Sequence, residues 1–481
     1  MTDLAGSQRT TNPKGRSRAA AACRWAPLLL SACCMLFHAP AAPGEEVIHV
    51  AQSRRGAGTG ADSASARSVV WFNSPHHWGD GAGRIGRGTT VRFHGTIATS
   101  VDVQGNGSRS RPIILDFSDS ILNAPDEIQI ELNGHDHISV VNATFSETVT
   151  SGSLIHLGGY SENITISGCR YQGPALSTVT AILHQCGSNT TIEGNTFVNV
   201  SCGVRGDRIH NHDIAIRDNT FVGSTRGEEQ DIIKFGDAYN VLIEGNHLVI
   251  RKANSADNPR DDSHVDGIQS YKKGGSDAGY PYNWTISRNT IELDSDNPHH
   301  RSWTMLEGMT GRLNIVSNVF IGTRGGLSAN GLNVNGGRSG LRAHIYNNTF
   351  VAKEGPNHII AVRGDGRFDF KNNIVYSMKP GGTVVKSPLP ESLERSNNLY
   401  FGGGLFAGLN AQDWAAAETG SLLNVDPLFA DLDADDYRLQ RGSPAIDAGA
   451  PVDVAKDRDG TVRPQGNAYD IGAFESAAAD E

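Results

Sequence analysis

The chain has 481 residues, with 56 glycines, a hydrophobic fraction of 38%, an aromatic fraction of 7% and a net charge of −10 at neutral pH. This composition favours a turn-rich all-β protein over a bundle of packed helices. The negative charge argues against a nucleic-acid partner, because affinity for phosphate backbones depends on many lysine and arginine contacts.

Residues 1–42 have the pattern of an export signal. Five basic residues come before the apolar run WAPLLLSACCMLF, and the small-residue sequence APAA follows. Removing these five residues and Asp3 changes the net charge from −10 to −14. The sequence from Leu30 to Cys33 is similar to a bacterial lipobox, which would attach a lipid to Cys33. We expect an exported protein that is periplasmic, extracellular or anchored to the outer membrane through this lipid.

Three cysteines remain in the mature chain, namely Cys169, Cys186 and Cys202. Their number is odd, and they lack the paired spacing of a zinc site. We expect them to be small buried hydrophobic residues.

An Asn or Gly followed by a short apolar or aromatic segment recurs through most of the chain. The steps between successive members are 24 to 30 residues, apart from one step of 43. A period of this size, without a helical pattern inside the unit, predicts a solenoid of parallel β-strands. Asn suits the turns because it tolerates the left-handed conformation, and stacked Asn side chains can bond from coil to coil. The members are Asn142, Gly168, Asn195, Asn219, Asn246, Asn289, Asn318, Asn348, Asn373 and Asn398.

This repeat resembles the right-handed parallel β-helix of the pectate-lyase-like superfamily. The C-terminal sequences DPLFADLDADDYRL, GSPAIDAG and DIGAFE resemble the closing segment of many secreted β-helix proteins. We expect the Asp residues of that segment to close turns rather than bind a metal. The predicted organisation is a signal at 1–42, a lead-in and cap at 43–89, the all-β, right-handed parallel β-helix at 90–400 and the closing segment at 401–481.

The outward face of one sheet can be predicted by pairing each inward apolar residue with the polar residue that follows it. The 43-residue step brings long insertions around the strand HVDGIQS, and long loops beside a regular sheet are commonly functional. This strand is therefore expected to lie at the floor of a cleft, with Gly267 leaving room for a substrate. The pairs are Ile155 with His156, Leu183 with His184, Val204 with Arg205, Ile233 with Lys234, Ile268 with Gln269, Leu306 with Glu307, Val334 with Asn335, Val362 with Arg363 and Val385 with Lys386.

The candidate site combines cations, carboxylates and hydroxyl groups around this strand. Such a set could neutralise a uronic-acid carboxylate and remove the proton next to it. The catalytic candidates are Lys234, His264, Asp266 and Arg205. The candidates for substrate binding are Gln269, Tyr271, Lys272, Glu307, His300, Arg301, Asn335 and Arg363. Asp231, Asp262 and Asp266 could hold Ca²⁺, which prefers carboxylate oxygens.

The superfamily resemblance implies a lyase that cleaves an acidic polysaccharide by β-elimination, and we expect such a lyase acting as a monomer. The position after Lys234 is Gln269, where alginate lyases and chondroitinase B carry an Arg, so their residue roles do not transfer directly. Three alternatives stay open. One is a glycoside hydrolase, since HVDGIQ loosely resembles the NTDGID strand of polygalacturonases, although the following coil, TMLEGM, lacks the family's paired Asp and no GHG stretch appears. The second is a uronan epimerase, although the DPH signature of alginate epimerases is missing. The third is a non-catalytic surface protein that only binds glycans.

Overall fold

The computed structural model describes residues 46–125, 128–208, 210–224, 231–252, 265–273, 280–295, 301–324, 330–355, 358–378, 383–385, 392–402 and 418–477. Among them, no helix is long and apolar enough to cross a bilayer. The helical elements are α1 (Val69–Phe72) and two 3-10 turns, Ser63–Ser65 and Pro75–His77.

Parallel strands dominate the described chain. Those before residue 200 are β1 (Val47–Ala51), β2 (Arg67–Ser68), β3 (Thr90–Ile97), β4 (Val101–Asp102), β5 (Ile113–Leu122), β6 (Ile128–Glu131), β7 (Ile138–Val141), β8 (Thr144–Phe145), β9 (Ser153–His156), β10 (Ser161–Ser167), β11 (Arg170–Gln172), β12 (Thr180–Leu183), β13 (Gly187–Glu193) and β14 (Thr196–Val200). The central strands are β15 (Cys202–Gly206), β16 (His212–Arg217), β17 (Thr220–Gly223), β18 (Ile233–Gly236), β19 (Tyr239–Glu244), β20 (His247–Lys252), β21 (Val265–Tyr271), β22 (Tyr282–Ser287), β23 (Thr290–Ser295) and β24 (Arg301–Val316). The last strands are β25 (Val319–Arg324), β26 (Asn330–Tyr346), β27 (Thr349–Ala352), β28 (His358–Lys371), β29 (Ile374–Ser377), β30 (Thr383–Val385), β31 (Leu393–Ser396), β32 (Leu399–Gly402), β33 (Leu422–Leu423), β34 (Phe429–Asp431) and β35 (Asp436–Leu439).

Each coil contributes to three stacks of parallel strands, which we call the front, middle and rear sheets. The front sheet contains β6, β9, β12, β15, β18, β21 and the first parts of β24, β26 and β28. The middle sheet runs from β10 through β13, β16, β19 and β22 into the second parts of β24, β26 and β28. The rear sheet runs from β11 through β14, β17, β20, β23, β25, β27 and β29 to β32. The predicted parallel β-helix is confirmed.

A continuous ladder of buried Asn side chains joins the coils where the middle sheet turns into the rear sheet. In each step the Nδ2 of one Asn donates to the Oδ1 of the next, at 2.9 to 3.2 Å. These bonds satisfy polar groups that would otherwise be costly to bury. The predicted coil-to-coil bonding is therefore confirmed for Asn195, Asn219, Asn246, Asn289, Asn318, Asn348, Asn373 and Asn398.

The first two members of the predicted repeat occupy a different place in the turn. In the later coils, the residue with the left-handed backbone conformation lies one position before the ladder Asn, as at Asn347 and Asn372. Asn142 and Gly168 have this left-handed conformation themselves, so the prediction for these coils was wrong by one residue. Cys169 takes the ladder position after Gly168, and its backbone N–H donates to Asn195 Oδ1 at 2.8 Å.

The inside of the solenoid is a continuous apolar core with ordered aromatic stacks. The ring centroids of Phe93 and Phe117 are 4.3 Å apart, and those of Phe320 and Phe350 are 4.8 Å apart. All three predicted cysteines are buried, and burial raises the pKa of the Cys169 thiol to about 12. The expectation that they behave as buried hydrophobic residues is confirmed.

The C-terminal segment 426–475 packs along the outside of the rear sheet, and we call it the outer layer. Phe429, Tyr437 and Ile471 of this layer pack in one apolar cluster with the rear-sheet residues Ile374 and Leu399. The layer is also hydrogen-bonded to the coils, as in the bonds from Asn347 Nδ2 to Asp470 O (2.8 Å) and from Ala473 N to Thr349 Oγ1 (2.9 Å). The layer thus covers the flank of the coils.

Acidic side chains of the outer layer close its turns, as predicted. Asp457 Oδ1 accepts hydrogen bonds from the backbone N–H groups of Asp459 and Thr461, at 2.9 and 2.7 Å. Within the described chain, no three His, Cys, Asp or Glu side chains lie where they could hold a metal ion together. These aspartates are therefore explained by local turn geometry.

Candidate active site

Arg205, Lys234 and Gln269 form one outward row on three neighbouring strands of the front sheet. Arg205 pairs with Lys234 between β15 and β18, and Lys234 pairs with Gln269 between β18 and β21. Adjacent strands lie about 4.8 Å apart, so the three side chains share one short stretch of the face. The predicted alignment of these three residues is confirmed.

Two aspartates lie buried beneath this row, at the corner where the chain enters the front sheet. Lys234 Nζ is 3.0 Å from Asp231 Oδ2, and the lysine side chain is 19% exposed while that of Asp231 is 1% exposed. Asp231 Oδ1 accepts the backbone N–H of Asp266 at 3.0 Å, and Ser302 Oγ donates to Asp266 Oδ1 at 2.6 Å. The open face and the buried carboxylates are thus linked through Lys234.

The sequence of neighbouring coils makes these aspartates unusual. The coils before Asp231 carry Ser153, Thr180 and Cys202 at the same corner, and Ser153 and Cys202 both pair with Thr180. Small, weakly polar side chains therefore occupy this corner in the three coils before Asp231. Two adjacent carboxylates are more than the fold requires, because burying like charges together is unfavourable.

The electrostatics of the corner raise the pKa of Asp231. Burial is the largest cause, and the neighbouring charge of Asp266 adds to it, whereas the Lys234 ammonium acts in the opposite direction. The balance raises the pKa of Asp231 to about 7. This carboxyl group can therefore exchange a proton near neutral pH.

A second charged cluster lies beside the row and includes Asp207, which sequence reasoning did not single out. Asp207 forms an ion pair with Arg205 and accepts a hydrogen bond from Tyr271 Oη at 2.9 Å. Burial opposes ionisation, but the hydrogen bond and charge of Arg205 outweigh it and lower the pKa of Asp207. Burial and the bond to Asp207 raise the pKa of Tyr271. Period-2 alternation from Arg205 could have identified Asp207, because it lies two residues further along the chain.

Glu307, Asn335 and Arg363 lie in register with one another but not with Gln269. Gln269 pairs with Met305, whereas Glu307 pairs with Asn335 and Asn335 pairs with Arg363. The alignment of Glu307 beside Gln269 was therefore wrong by two residues. The cause is the fully buried Thr304, which pairs with Ile268 although it is polar. A similar shift places Val385 opposite Ile360 instead of Val362.

Two further orientation predictions were wrong because β12 contains two consecutive inward residues. Ala181 and Ile182 are both fully buried, so Leu183 faces outward and His184 faces inward. His184 bonds Asn211 and Thr190 at 2.7 and 2.9 Å, and burial lowers its pKa to about 4.

Gly267 also points into the core and does not leave room for a substrate. A Cβ at this position would lie 2.5 Å from Trp303 O and 3.0 Å from side-chain atoms of Ile250 and Ile291. The absence of a side chain here lets the coils pack closely.

The remaining predicted residues are placed only in part. Lys272 Nζ donates to Tyr280 Oη at 3.0 Å, and the ammonium lies 4.2 Å from the centroid of that ring. The backbone of Arg301 pairs with Val265 at the start of β24. Asp262, His264, His299, His300 and Lys386, together with most of the predicted cleft insertions, lie outside the described residues.

The described part of the site does not fit a calcium ion well. Both Asp231 oxygens already have partners, and one of these is the Lys234 ammonium. A cation beside that ammonium would be repelled. Asp262 lies outside the described residues, so the calcium site stays a prediction.

No family model and no curated protein matches this chain. Among solved structures, XylC in complex with xylose is similar, with 11% identity, a TM-score of 0.54, and coverage of 90% of this chain and 99% of that chain. The pectate lyase Pel9A has 14% identity, a TM-score of 0.47 and coverage of 90% and 96%. A lacto-N-biosidase from Eubacterium ramulus has 10% identity, a TM-score of 0.38 and coverage of 79% and 68%. At these identities the likeness concerns the fold, which is the parallel β-helix.

Proposed function

We propose that the protein cleaves a uronic-acid-containing polysaccharide by β-elimination, with Lys234 as the group that removes the proton next to the carboxylate. The supporting observation is the placement of Lys234, whose ammonium lies on an open face but 3.0 Å from a buried carboxyl group. A solvated sheet face needs no such buried partner. Similarity in fold to XylC, whose structure contains xylose, is consistent with a saccharide ligand.

Lys234 can act as a base only when it is neutral, and Asp231 provides the route. The Lys234 ammonium passes a proton to Asp231, which is a better acceptor than an ordinary aspartate because its pKa is raised to about 7. The resulting amine takes the C5 proton of the uronate and becomes an ammonium. The electron pair of that C–H bond forms the C4–C5 double bond, the C4–O4 bond breaks, and O4 takes a proton from this ammonium as it leaves. Asp231 then returns its proton to the Lys234 amine. General-base catalysis of this kind typically contributes 10²- to 10⁴-fold.

Arg205 lies one strand away and supplies positive charge beside the substrate carboxylate. Its side chain is 50% exposed, and Asp207 holds it on the side of the row. Positive charge at this position stabilises the negative charge that develops on the carboxylate as the proton leaves. Lys234 and Arg205 therefore divide proton removal and charge stabilisation between two neighbouring coils.

The test uses wild-type protein, Lys234→Met and a matched control, Lys353→Met. Lys353 follows the rear-sheet strand β27 and also pairs with an aspartate, Asp435 of the outer layer, whose Oδ1 is 2.8 Å from its Nζ. Polygalacturonate, alginate and hyaluronan are incubated with each protein, and near-ultraviolet absorbance and reducing ends are followed. We expect unsaturated products from wild type and Lys353→Met, and about 10³-fold lower kcat from Lys234→Met at similar thermal stability.

The other outcomes separate the competing functions. Reducing ends without near-ultraviolet absorbance would indicate a hydrolase. Saturable binding of a polymer without any product would indicate a non-catalytic glycan-binding protein. Full activity of Lys234→Met would contradict the role of this lysine.

A further inference from the structure

An exposed aromatic side chain lies at the corner between the front and middle sheets and has no role in the proposed reaction. Tyr160 is 70% exposed, in the connection that follows β9. Its ring centroid is 6.5 Å from that of His210, which lies in the connection that follows β15. The two rings belong to coils that are separated by the coil of β12, so together they span it on one edge of the sheet.

The floor of the front sheet is apolar at that intermediate coil. Leu183 at the end of β12 pairs with His156 on one side and with Arg205 on the other, and it is partly exposed. The outward row therefore reads His156, Leu183, Arg205, Lys234 and Gln269. One apolar member interrupts the polar row, and it lies in the coil between those of Tyr160 and His210.

This arrangement suits the apolar face of a sugar ring. Pyranose rings present C–H groups on their faces and hydroxyl groups at their edges, and ligand sites combine apolar surfaces with a few polar groups. Tyr160 offers a large ring with a polar end, and Leu183 offers an aliphatic floor. At about 4.8 Å per coil, Leu183 lies about 10 Å from the position of Lys234 along the sheet.

We propose that Tyr160, Leu183 and His210 form a binding subsite for a sugar residue of the same acidic polysaccharide, two coils before Lys234. The proposal rests on the proposed function, because the glycan must run along the front sheet to reach Lys234. Continuity supports this path, since Arg205 joins the subsite to Lys234 in one uninterrupted register. The subsite would favour long chains over short ones.

The experiment measures binding as a function of chain length. Oligomers of two to eight residues from polygalacturonate, alginate and hyaluronan are titrated by calorimetry into Lys234→Met protein, in which cleavage is suppressed. The same titrations are repeated with Tyr160→Ala and Tyr160→Phe added to that background. Val462→Ala in the same background is the control, because Val462 is 58% exposed but lies in the outer layer.

We expect affinity to rise with chain length in the Lys234→Met protein. Tyr160→Ala should weaken binding of the longer oligomers about tenfold, a typical effect of losing one aromatic contact, and should leave the disaccharide unaffected. Tyr160→Phe and Val462→Ala should both keep the length dependence. Identical titrations for Tyr160→Ala and Tyr160→Phe would overturn the subsite.

The results of these experiments distinguish an error in the subsite from an error in the proposed reaction. If wild-type protein forms unsaturated products and Tyr160→Ala keeps the length dependence, only the subsite is wrong. If no product forms but binding depends on length and on Tyr160, the lyase is wrong and the subsite stands. Absence of binding to all three oligomer series would contradict both.

Discussion

The front sheet at Lys234 and the outer layer at Arg463 each bury an ion pair, but in different surroundings. Arg463 and Glu475 are fully buried, and their atoms Nη1 and Oε2 lie 2.5 Å apart. Backbone groups bond both members of this pair, because Arg463 donates to the carbonyls of Asp470 and Gly472 and Glu475 accepts the N–H groups of Gln465 and Asp470. A pair enclosed in this way fixes the conformation of a segment.

The Lys234 pair is enclosed on one side only. Asp231 is buried, whereas Lys234 reaches the open face and lies 5.5 Å from the centroid of the Tyr271 ring. Asp231 accepts one backbone N–H, that of Asp266, and its charged neighbours besides Lys234 include the Asp266 carboxylate, while Arg205 lies beside Lys234 in the outward row. The two pairs therefore differ in access to solvent, because both side chains of the Arg463 pair are buried whereas the Lys234 side chain is 19% exposed.

The largest expected effect concerns the enclosed pair. Glu475→Gln leaves the Arg463 charge buried without its counter-ion, so the free energy of unfolding should fall by about 3 to 5 kcal/mol. Denaturant unfolding of the purified variant measures this loss, and the kcat of the protein that remains folded should match wild type. A stability loss below about 1 kcal/mol would show that the pair is not structural.

Asp231→Asn should alter both catalysis and the pH dependence of stability. The kcat should fall about 100-fold, because the amide cannot accept the Lys234 proton. In wild type the folded-state pKa of Asp231 is raised to about 7, so its stabilising contribution is present below the ordinary pKa near 4 and is lost as pH rises to about 7. When thermal unfolding is measured from pH 4 to 8, the melting temperature should decline less in the variant than in wild type.

Asp266→Asn should shift the pH dependence of kcat rather than abolish activity. The charge of Asp266 helps to raise the pKa of Asp231, so its removal should lower that pKa. The acidic limb of the kcat profile should then move to lower pH, because Asp231 would ionise at lower pH. An unmoved limb, with kcat otherwise intact, would indicate that Asp231 does not exchange the proton.

The smallest expected effect is that of Asp207→Asn, a test of the second charged cluster. The substitution keeps a hydrogen-bond acceptor for Tyr271 but weakens the hold on Arg205. We expect KM for the polymer to change by about tenfold or less, with kcat nearly unchanged, since a partly exposed ion pair is worth about 1 kcal/mol or less. A fall in kcat comparable to that of Lys234→Met would place Asp207 in the chemistry.

Much of the architecture was predictable because the repeat recurs in many coils. The Asn spacing predicted the coils, and the alternation around Lys234 predicted its alignment with Arg205 and Gln269. The predictions failed where a polar residue takes an inward position, as at Thr304, or where two inward residues follow each other, as at Ala181 and Ile182. Residue-by-residue alternation cannot reveal these positions, because the backbone changes direction there and no distinctive residue type marks the change.

The sequence by itself determined the parallel solenoid, the Asn ladder and the row that contains Lys234, since all three depend on local periodicity. Only the tertiary structure decided that Asp231 and Asp266 are buried together, that Gly267 faces the core, and that the outer layer covers the rear sheet. These features depend on contacts between residues far apart in the chain. For instance, Asp231 and Asp266 are 35 residues apart in sequence yet share a hydrogen bond.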